Sequence, residues 1–373
     1  MEFGIFIQGF TPEFRRAGNP GHEHDVIMQE LELVKAADRA GFKYVWVTEH
    51  HFLDEYSHLS ANDVIIGWLG HATERIHLGA GIFNPLPQVN HPAKVAERVA
   101  TLDHITNRRF EFGTGRGAGS HEILGFLHRD GITDTSATKE IWEETIGEFA
   151  KMWLQDEYPG FEGKWWSLPP RKVLPKPYGK GHPAMWYAAG NTTSYEMAAR
   201  KGLGVLGFSV GQISELEPVL KAYKDAIPAA EPVGAFVNDN IMVTSAAFVN
   251  EDGDRAFQDA LGSAMTYLQS NVFRYHDTFP HPPEVPYWPE LIPDNSPEGL
   301  QWQIDGGLIV GDPDQAVEQC RRWEAAGADQ LCFGMGSGTF EQDLETIRLI
   351  GEHVIPKIDS DPVHRTTKLR DAL

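Results

Sequence analysis

Four short clusters carry side chains suited to chemistry. The first is Thr48-Glu49-His50-His51-Phe52. An imidazole exchanges protons near pH 7, so a histidine beside an acid suits general acid/base work. Neighbouring side chains on an extended segment point to opposite sides, so one of His50 and His51 can enter a site while the other pairs or packs behind it. Loop histidines bonded to backbone carbonyls are the bland alternative; the place of this pair at a strand end, directly after Glu49, favours catalysis.

The second cluster is Gly79-Ala80-Gly81. Two glycines inside a strand read either as a bulge or close approach of a flat ligand, or as tight packing against a helix. The third is Gly113-Thr114-Gly115-Arg116-Gly117-Ala118-Gly119. Its spacing is not G-x-G-x-x-G, so a dinucleotide fingerprint is rejected. Glycines around a single Arg suit a backbone pressed near a ligand with the guanidinium on a phosphate, against the alternative of an ordinary surface turn. The fourth is Ala189-Gly190-Asn191-Thr192-Thr193-Ser194. One such side chain suffices to cap a helix, and the surplus leans toward an anion site on the helix N-terminus.

Other patterns carry less. His22-Glu23-His24 has the H-x-H spacing of some metal sites, yet it lies in a Gly/Pro loop and reads as a solvated turn. A metal-dependent barrel hydrolase would have to be anchored there. HExxH and paired CxxC are absent from the sequence. Trp165, Trp166, Phe273, Tyr275, Tyr287 and Trp288 could line an apolar pocket or pack two insertions onto the fold.

These clusters need elements to position them. Apolar, β-prone runs over 3–8, 44–48, 76–83, 109–113, 185–189, 203–208, 240–249 and 330–333 alternate with helical patterns over 24–40, 61–73, 92–105, 138–155, 193–201, 213–226, 254–273, 313–326 and 340–355. Eight strand–helix units favour a closed (β/α)8 TIM barrel over an open sheet, and the four clusters fall at carboxyl ends of strands, where such barrels place their active sites. The domain expected is 1–358, with long insertions after strands 4/5 and 7, at about 156–183 and 275–307. A charged C-terminal tail, 359–373, is expected to fray.

Composition narrows the class. The 373 residues are 41% hydrophobic and 23% charged, with a net charge of −21 that opposes nucleic acid and anionic membranes. Two cysteines, Cys320 and Cys332, fit a reducing compartment, and no run approaches the roughly 18 apolar residues of a membrane span. With no signal-peptide pattern at Met1–Gly9, a cytoplasmic protein is expected.

Taken in order, the clusters resemble the bacterial luciferase-like flavin-dependent monooxygenases. The resemblance rests on Glu49-His50-His51-Phe52, on His91-Pro92, on Asn107-Arg108-Arg109-Phe110-Glu111-Phe112-Gly113 leading to Arg116, and on Ala188 to Ala199, and it spans roughly 1–355. It implies a barrel binding FMN, with Arg116, Ala118, Gly190 and Asn191–Ser194 around the phosphate. Ala80 and Gly81 would lie beneath the isoalloxazine, where the family often has a non-prolyl cis peptide. His50 would be the catalytic imidazole, with His51 and Glu49 in support.

The implied reaction is that of a two-component enzyme. Reduced FMN from a separate NAD(P)H-dependent flavin reductase reacts with O2 at the flavin C4a position, and the hydroperoxide inserts one oxygen atom into a small, apolar organic substrate. A homodimer is implied too. Gly115 stands where luciferase itself has a reactive cysteine, so light emission is not implied. The alternatives are a deazaflavin-dependent oxidoreductase on the same barrel and a flavin-binding protein without catalysis.

Overall fold

The computed structural model describes residues 1–53, 55–117, 122–132, 135–207, 212–261 and 296–373. Eight parallel strands close into a ring: β1 (Glu2–Ile7), β2 (Tyr44–Thr48), β3 (His77–Gly81), β4 (Phe110–Thr114), β5 (Met185–Ala189), β6 (Gly204–Gly207), β7 (Ile241–Val249) and β8 (Gln330–Gly334). The ring closes where β8 pairs with β1, Gln330 beside Glu2 and Phe333 beside Ile5. This is the expected (β/α)8 barrel.

Most residues on both faces of the strands are buried, which is why the strands read as near-continuous apolar runs. Phe3, Ile5, Ile7, Val45, Val47, Phe110 and Phe112 face outward into the core beneath the helices. Phe6, Tyr44, Trp46, Ile82, Trp186, Leu206, Met242 and Cys332 form a separate cluster within the ring. Each such large apolar side chain contributes about 1.5–3 kcal/mol on burial. Trp46 and Trp186 meet edge to face at 5.2 Å. Two indoles fit inside one barrel because small residues oppose them: a Cβ at Gly79 would overlap Trp46, and one at Gly204 would overlap Trp186. Gly79 is therefore a packing glycine, set against an indole rather than a helix.

The helices follow from their caps. α1 (His22–Ala40) stops at Gly41, whose φ of 94° turns the chain left-handed. α2 (Asn62–Ala72) leads to β3, and α3 (Pro92–Ile105) opens with proline in its first turn. α4 (Thr192–Arg200) follows β5, and α5 (Ile213–Ala226) follows β6. α6 (Pro297–Gly306), α7 (Pro313–Ala326), α8 (Phe340–Leu349) and α9 (Arg365–Asp371) follow toward the C-terminus.

Several expectations need correction. His22 begins α1 rather than sitting in a loop. Residues two apart on a helix point about 200° apart, so His22 and His24 cannot grip one ion. Within the second insertion α6 is helical, opened by Ser296, whose side chain accepts from Gly299 N; residues 275–295 of it, with Tyr275, Tyr287 and Trp288, lie outside the described residues, as does Phe273 before it. The short strand Ile309–Gly311 pairs with β7 outside the ring. The 156–183 stretch is held by a small ribbon, Phe161–Glu162 with Ser167–Leu168. There Trp166 is buried and packs on Phe161.

The tail is not frayed. Arg370 forks onto both oxygens of Asp103 at 2.7 and 2.8 Å, and Asp103 is fully buried. A buried carboxylate needs such a partner, and a bidentate guanidinium is the best one available. Thr366 of α9 donates to Glu111 at 2.5 Å, inside the amino end of the barrel. Glu111 also accepts from Trp186 Nε1 at 2.8 Å and meets His77 Nδ1 at 2.7 Å. Burial pushes its pKa up to about 8.

Candidate active site

β2 delivers Glu49, His50 and His51 to the carboxyl end of the barrel. Glu49 is buried, which raises its pKa; against that, its Oε1 meets His51 Nε2 at 3.4 Å and accepts from Asn84 N. The bond to Glu49 raises the His51 pKa in turn. The two histidine rings take different partners, as adjacent positions on an extended chain require. His51 lies edge-on to Phe126, and Phe126 packs on Phe52.

His50 turns to an acid that sequence reasoning passed over. Its Nδ1 lies 2.7 Å from Glu122 Oε1, and the same oxygen accepts the His51 backbone N–H at 3.2 Å. Glu122 stands just ahead of the π-helical turn Ile123–Leu127 in the loop after β4. With a carboxylate on Nδ1, that nitrogen carries the hydrogen and Nε2 becomes the proton-exchanging position. The one sequence signal was an acid six residues beyond Arg116 in a βα loop.

The barrel mouth is lined by small residues over an aromatic floor. The non-prolyl cis peptide is Gly81–Ile82, one bond later than Ala80–Gly81. Ala188 is exposed although its strand neighbours Tyr187 and Ala189 are buried. A Cβ built on Gly115 would stand 3.1 Å from Ile82 and 3.5 Å from Ala188 Cβ, and one on Gly81 3.3 Å from Phe6. Ala80 is buried on the outer face of β3, while its neighbour Gly81 faces the mouth. Side chains at Gly81, Gly115 and Ala188 would fill this space. Such a space could hold a flat ring.

A second part of the site is polar. Asn191 and Ser194 cap α4 reciprocally: Asn191 Oδ1 accepts from Ser194 N at 3.0 Å, and Ser194 Oγ accepts from Asn191 N at 3.1 Å. Gly190, Thr192 and Thr193 are exposed at the same helix start, and the Thr hydroxyls are not used in that cap. Arg116 reaches toward this strand, its Nε donating to Tyr187 Oη at 3.0 Å. Backbone N–H groups of a first helical turn next to a guanidinium can hold a phosphate. Ala118 lies outside the described residues. Among those described, no group of three or more His, Cys, Asp or Glu could hold a metal ion.

The family model for luciferase-like monooxygenases matches residues 1–330. The chain belongs to that family. This luciferase-like monooxygenase is thus an oxidoreductase of the oxygen-incorporating class. It is 25% identical to the oxygenase component of a flavin-dependent trigonelline monooxygenase from Acinetobacter baylyi, over 98% of each chain. It is 26% identical to limonene 1,2-monooxygenase from Rhodococcus erythropolis, over 97% of this chain and 87% of that one.

Among solved structures, the luciferase-like fold is shared with the oxygenating constituent of 3,6-diketocamphane monooxygenase from Pseudomonas putida, in complex with FMN. The TM-score is 0.74 at 18% identity, over 96% of this chain and 98% of that one. A coenzyme F420-dependent secondary alcohol dehydrogenase has the same fold, with a TM-score of 0.70 at 17% identity over 96% and 99%. No helix among the described residues is long and apolar enough to cross a membrane.

Proposed function

We propose that this chain is the oxygenase component of a two-component, FMN-dependent monooxygenase acting on a small, apolar organic substrate. The observation that carries the reading is the His50–Glu122 pair, 2.7 Å apart, at the rim of a mouth lined by Gly81, Gly115 and Ala188. Gly81, Ile82, Gly115 and Ala188 would bracket the isoalloxazine, and Phe6 and Trp46 would floor it. Arg116, Gly190, Thr192, Thr193 and the N–H groups of the first turn of α4 would hold the phosphate, with Asn191 and Ser194 fixing that turn.

Reduced FMN, when bound, supplies the electrons that activate O2. The chain's own residues then position and protect. Glu122 holds His50 Nδ1–H, so that Nε2 gives or takes the proton as oxygen is transferred and water leaves. Glu49 and His51 brace the same loop from behind. The apolar floor of Phe6, Ile82, Trp46 and Leu206 keeps water from the reacting face.

A separate NAD(P)H-dependent flavin reductase would deliver the reduced flavin. A second copy would dock on the face where Val64, Trp68 and Ile105 are exposed by 68%, 44% and 53%. Val64 and Trp68 lie one turn apart on α2, and Gly67 between them neighbours Ile105 of α3. The rival reading is hydride transfer with a deazaflavin, favoured by the likeness to the F420-dependent dehydrogenase. The test is the His50→Ala variant supplied with a reductase. The proposal expects flavin binding to persist, O2 consumption to continue as hydrogen peroxide, and coupled product to fall; full coupled activity would refute the role given to His50.

A further inference from the structure

Arg116 is the cation at the phosphate end of the site, and a long, flexible side chain must be held if it is to meet an anion in one geometry. In a chain of net charge −21 the long-range field repels an anion, so local placement of donors decides binding. We infer that Tyr187 is the positioning residue for Arg116 in phosphate recognition, an inference that rests on the proposed FMN site.

The geometry begins with β-sheet register. Tyr187 pairs across from Thr114, and Arg116 lies two residues beyond Thr114 on the loop leaving β4. The Tyr187 phenol oxygen therefore stands beside the stem of Arg116 and accepts from its Nε at 3.0 Å. The phenol is itself packed in place. Tyr187 is 3% exposed, and its ring lies on Trp142 at 4.4 Å between centroids. Trp142 Nε1 donates to Thr114 Oγ1 at 3.3 Å, and Thr114 Oγ1 donates to Trp186 O at 2.9 Å, so the indole is tied to β4 and β4 to β5.

Holding Nε fixes the plane of the guanidinium and therefore the direction in which its outer edge presents donors. The tether also has an address. Tyr187 sits on β5, and β5 runs through Gly190 directly into Asn191 and the first turn of α4. One phenol thus ties the cation contributed by the β4 loop to the strand that delivers the helix N-terminus. Nothing in the cluster spacing of Arg116 announced this, because Tyr187 reads as one more buried strand aromatic.

The test compares reduced FMN with reduced riboflavin, which differ only in the phosphate, by anaerobic titration of the whole chain. The wild type should prefer FMN. Tyr187→Phe removes one oxygen and keeps the ring on Trp142; it should lower the FMN-over-riboflavin preference about fivefold, the scale of one hydrogen bond, with riboflavin affinity unchanged. Arg116→Lys keeps the charge and loses the held fork, and should lose a similar part of the preference. Arg116→Gln should lose most of it, and Tyr187→Phe added to Arg116→Gln should change nothing more.

An unchanged preference in Tyr187→Phe, with a fall in Arg116→Gln, would overturn the positioning role while leaving Arg116 on the phosphate. Equal weakening of both flavins by Tyr187→Phe would mark a merely structural tyrosine and overturn it as well. An unchanged preference in Arg116→Gln would remove Arg116 from the phosphate site, and the inference with it.

Discussion

Glu122 Oε1 bridges the ring and the backbone of consecutive histidines, 2.7 Å from His50 Nδ1 and 3.2 Å from His51 N. The loop after β2 and the loop after β4 are thereby joined at one carboxylate oxygen. The bond fixes both the orientation of His50 and the nitrogen that carries its hydrogen. Glu122→Gln keeps the size and loses the charge that selects this tautomer. Coupled product formation should fall by roughly 10²-fold, the low end for lost general acid/base catalysis, with reduced-flavin affinity within a fewfold. Product and hydrogen peroxide measured together check it; unchanged coupling would remove Glu122 from the mechanism.

The mouth should be closed by a single side chain. Ala188 is exposed on the inward face of β5, so Ala188→Phe places a ring in the cradle without displacing core atoms. Flavin affinity should drop by at least tenfold, about 1.4 kcal/mol, while the unfolding temperature stays put. Fluorescence titration and thermal unfolding read the two quantities separately.

The C-terminal helix should be a stabilising element. Arg370→Met leaves Asp103 fully buried and without its cation, although Asp103 still accepts from Tyr178 N. Breaking a buried pair from one side costs about 3–5 kcal/mol. Denaturant unfolding of Arg370→Met should show a loss of that order; a loss under about 1 kcal/mol would mean that α9 docks by other contacts.

The stability contributed by the buried Asp343 carboxyl should fall as pH rises toward neutrality. Burial raises Asp343 from an ordinary 3.8 to about 7, against the N–H bond it receives from Gly336. The folded chain therefore keeps this proton at pH values where the unfolded chain has released it. The contribution is present in full below the unfolded pKa and is lost as pH climbs through the folded one. The slope is about 1.4 kcal/mol per pH unit within that window. Glu30, pushed up to about 7 by burial, and Glu111 add to it. In thermal unfolding followed across that range, wild-type stability relative to Asp343→Asn should fall from pH 5 to pH 7.

The eight strands were legible because a parallel barrel strand is apolar on both faces, so runs such as Tyr44–Thr48 stand out without periodicity. The Glu49–His51 cluster was legible because its residue types are costly to bury without purpose. Glu122 was not, since its partner His50 lies 72 positions away and no local pattern marks it. The docking of α9 was hidden for the same reason: Arg370 and Asp103 are 267 residues apart, and a charged terminus reads as solvated until its partner is known. The cis bond at Gly81–Ile82 lies one bond beyond the Ala80–Gly81 position that the resemblance implied, since Gly79 and Gly81 leave the register at the end of β3 open.

The central claim is that this barrel mouth takes reduced FMN. Anaerobic titration of the purified chain with reduced FMN and, in parallel, with the reduced deazaflavin coenzyme tests it most directly. The account predicts saturable binding of reduced FMN at least tenfold tighter than of the deazaflavin, a margin of about 1.4 kcal/mol. Tight binding of the deazaflavin with none of reduced FMN would contradict it and make this chain a hydride-transferring enzyme.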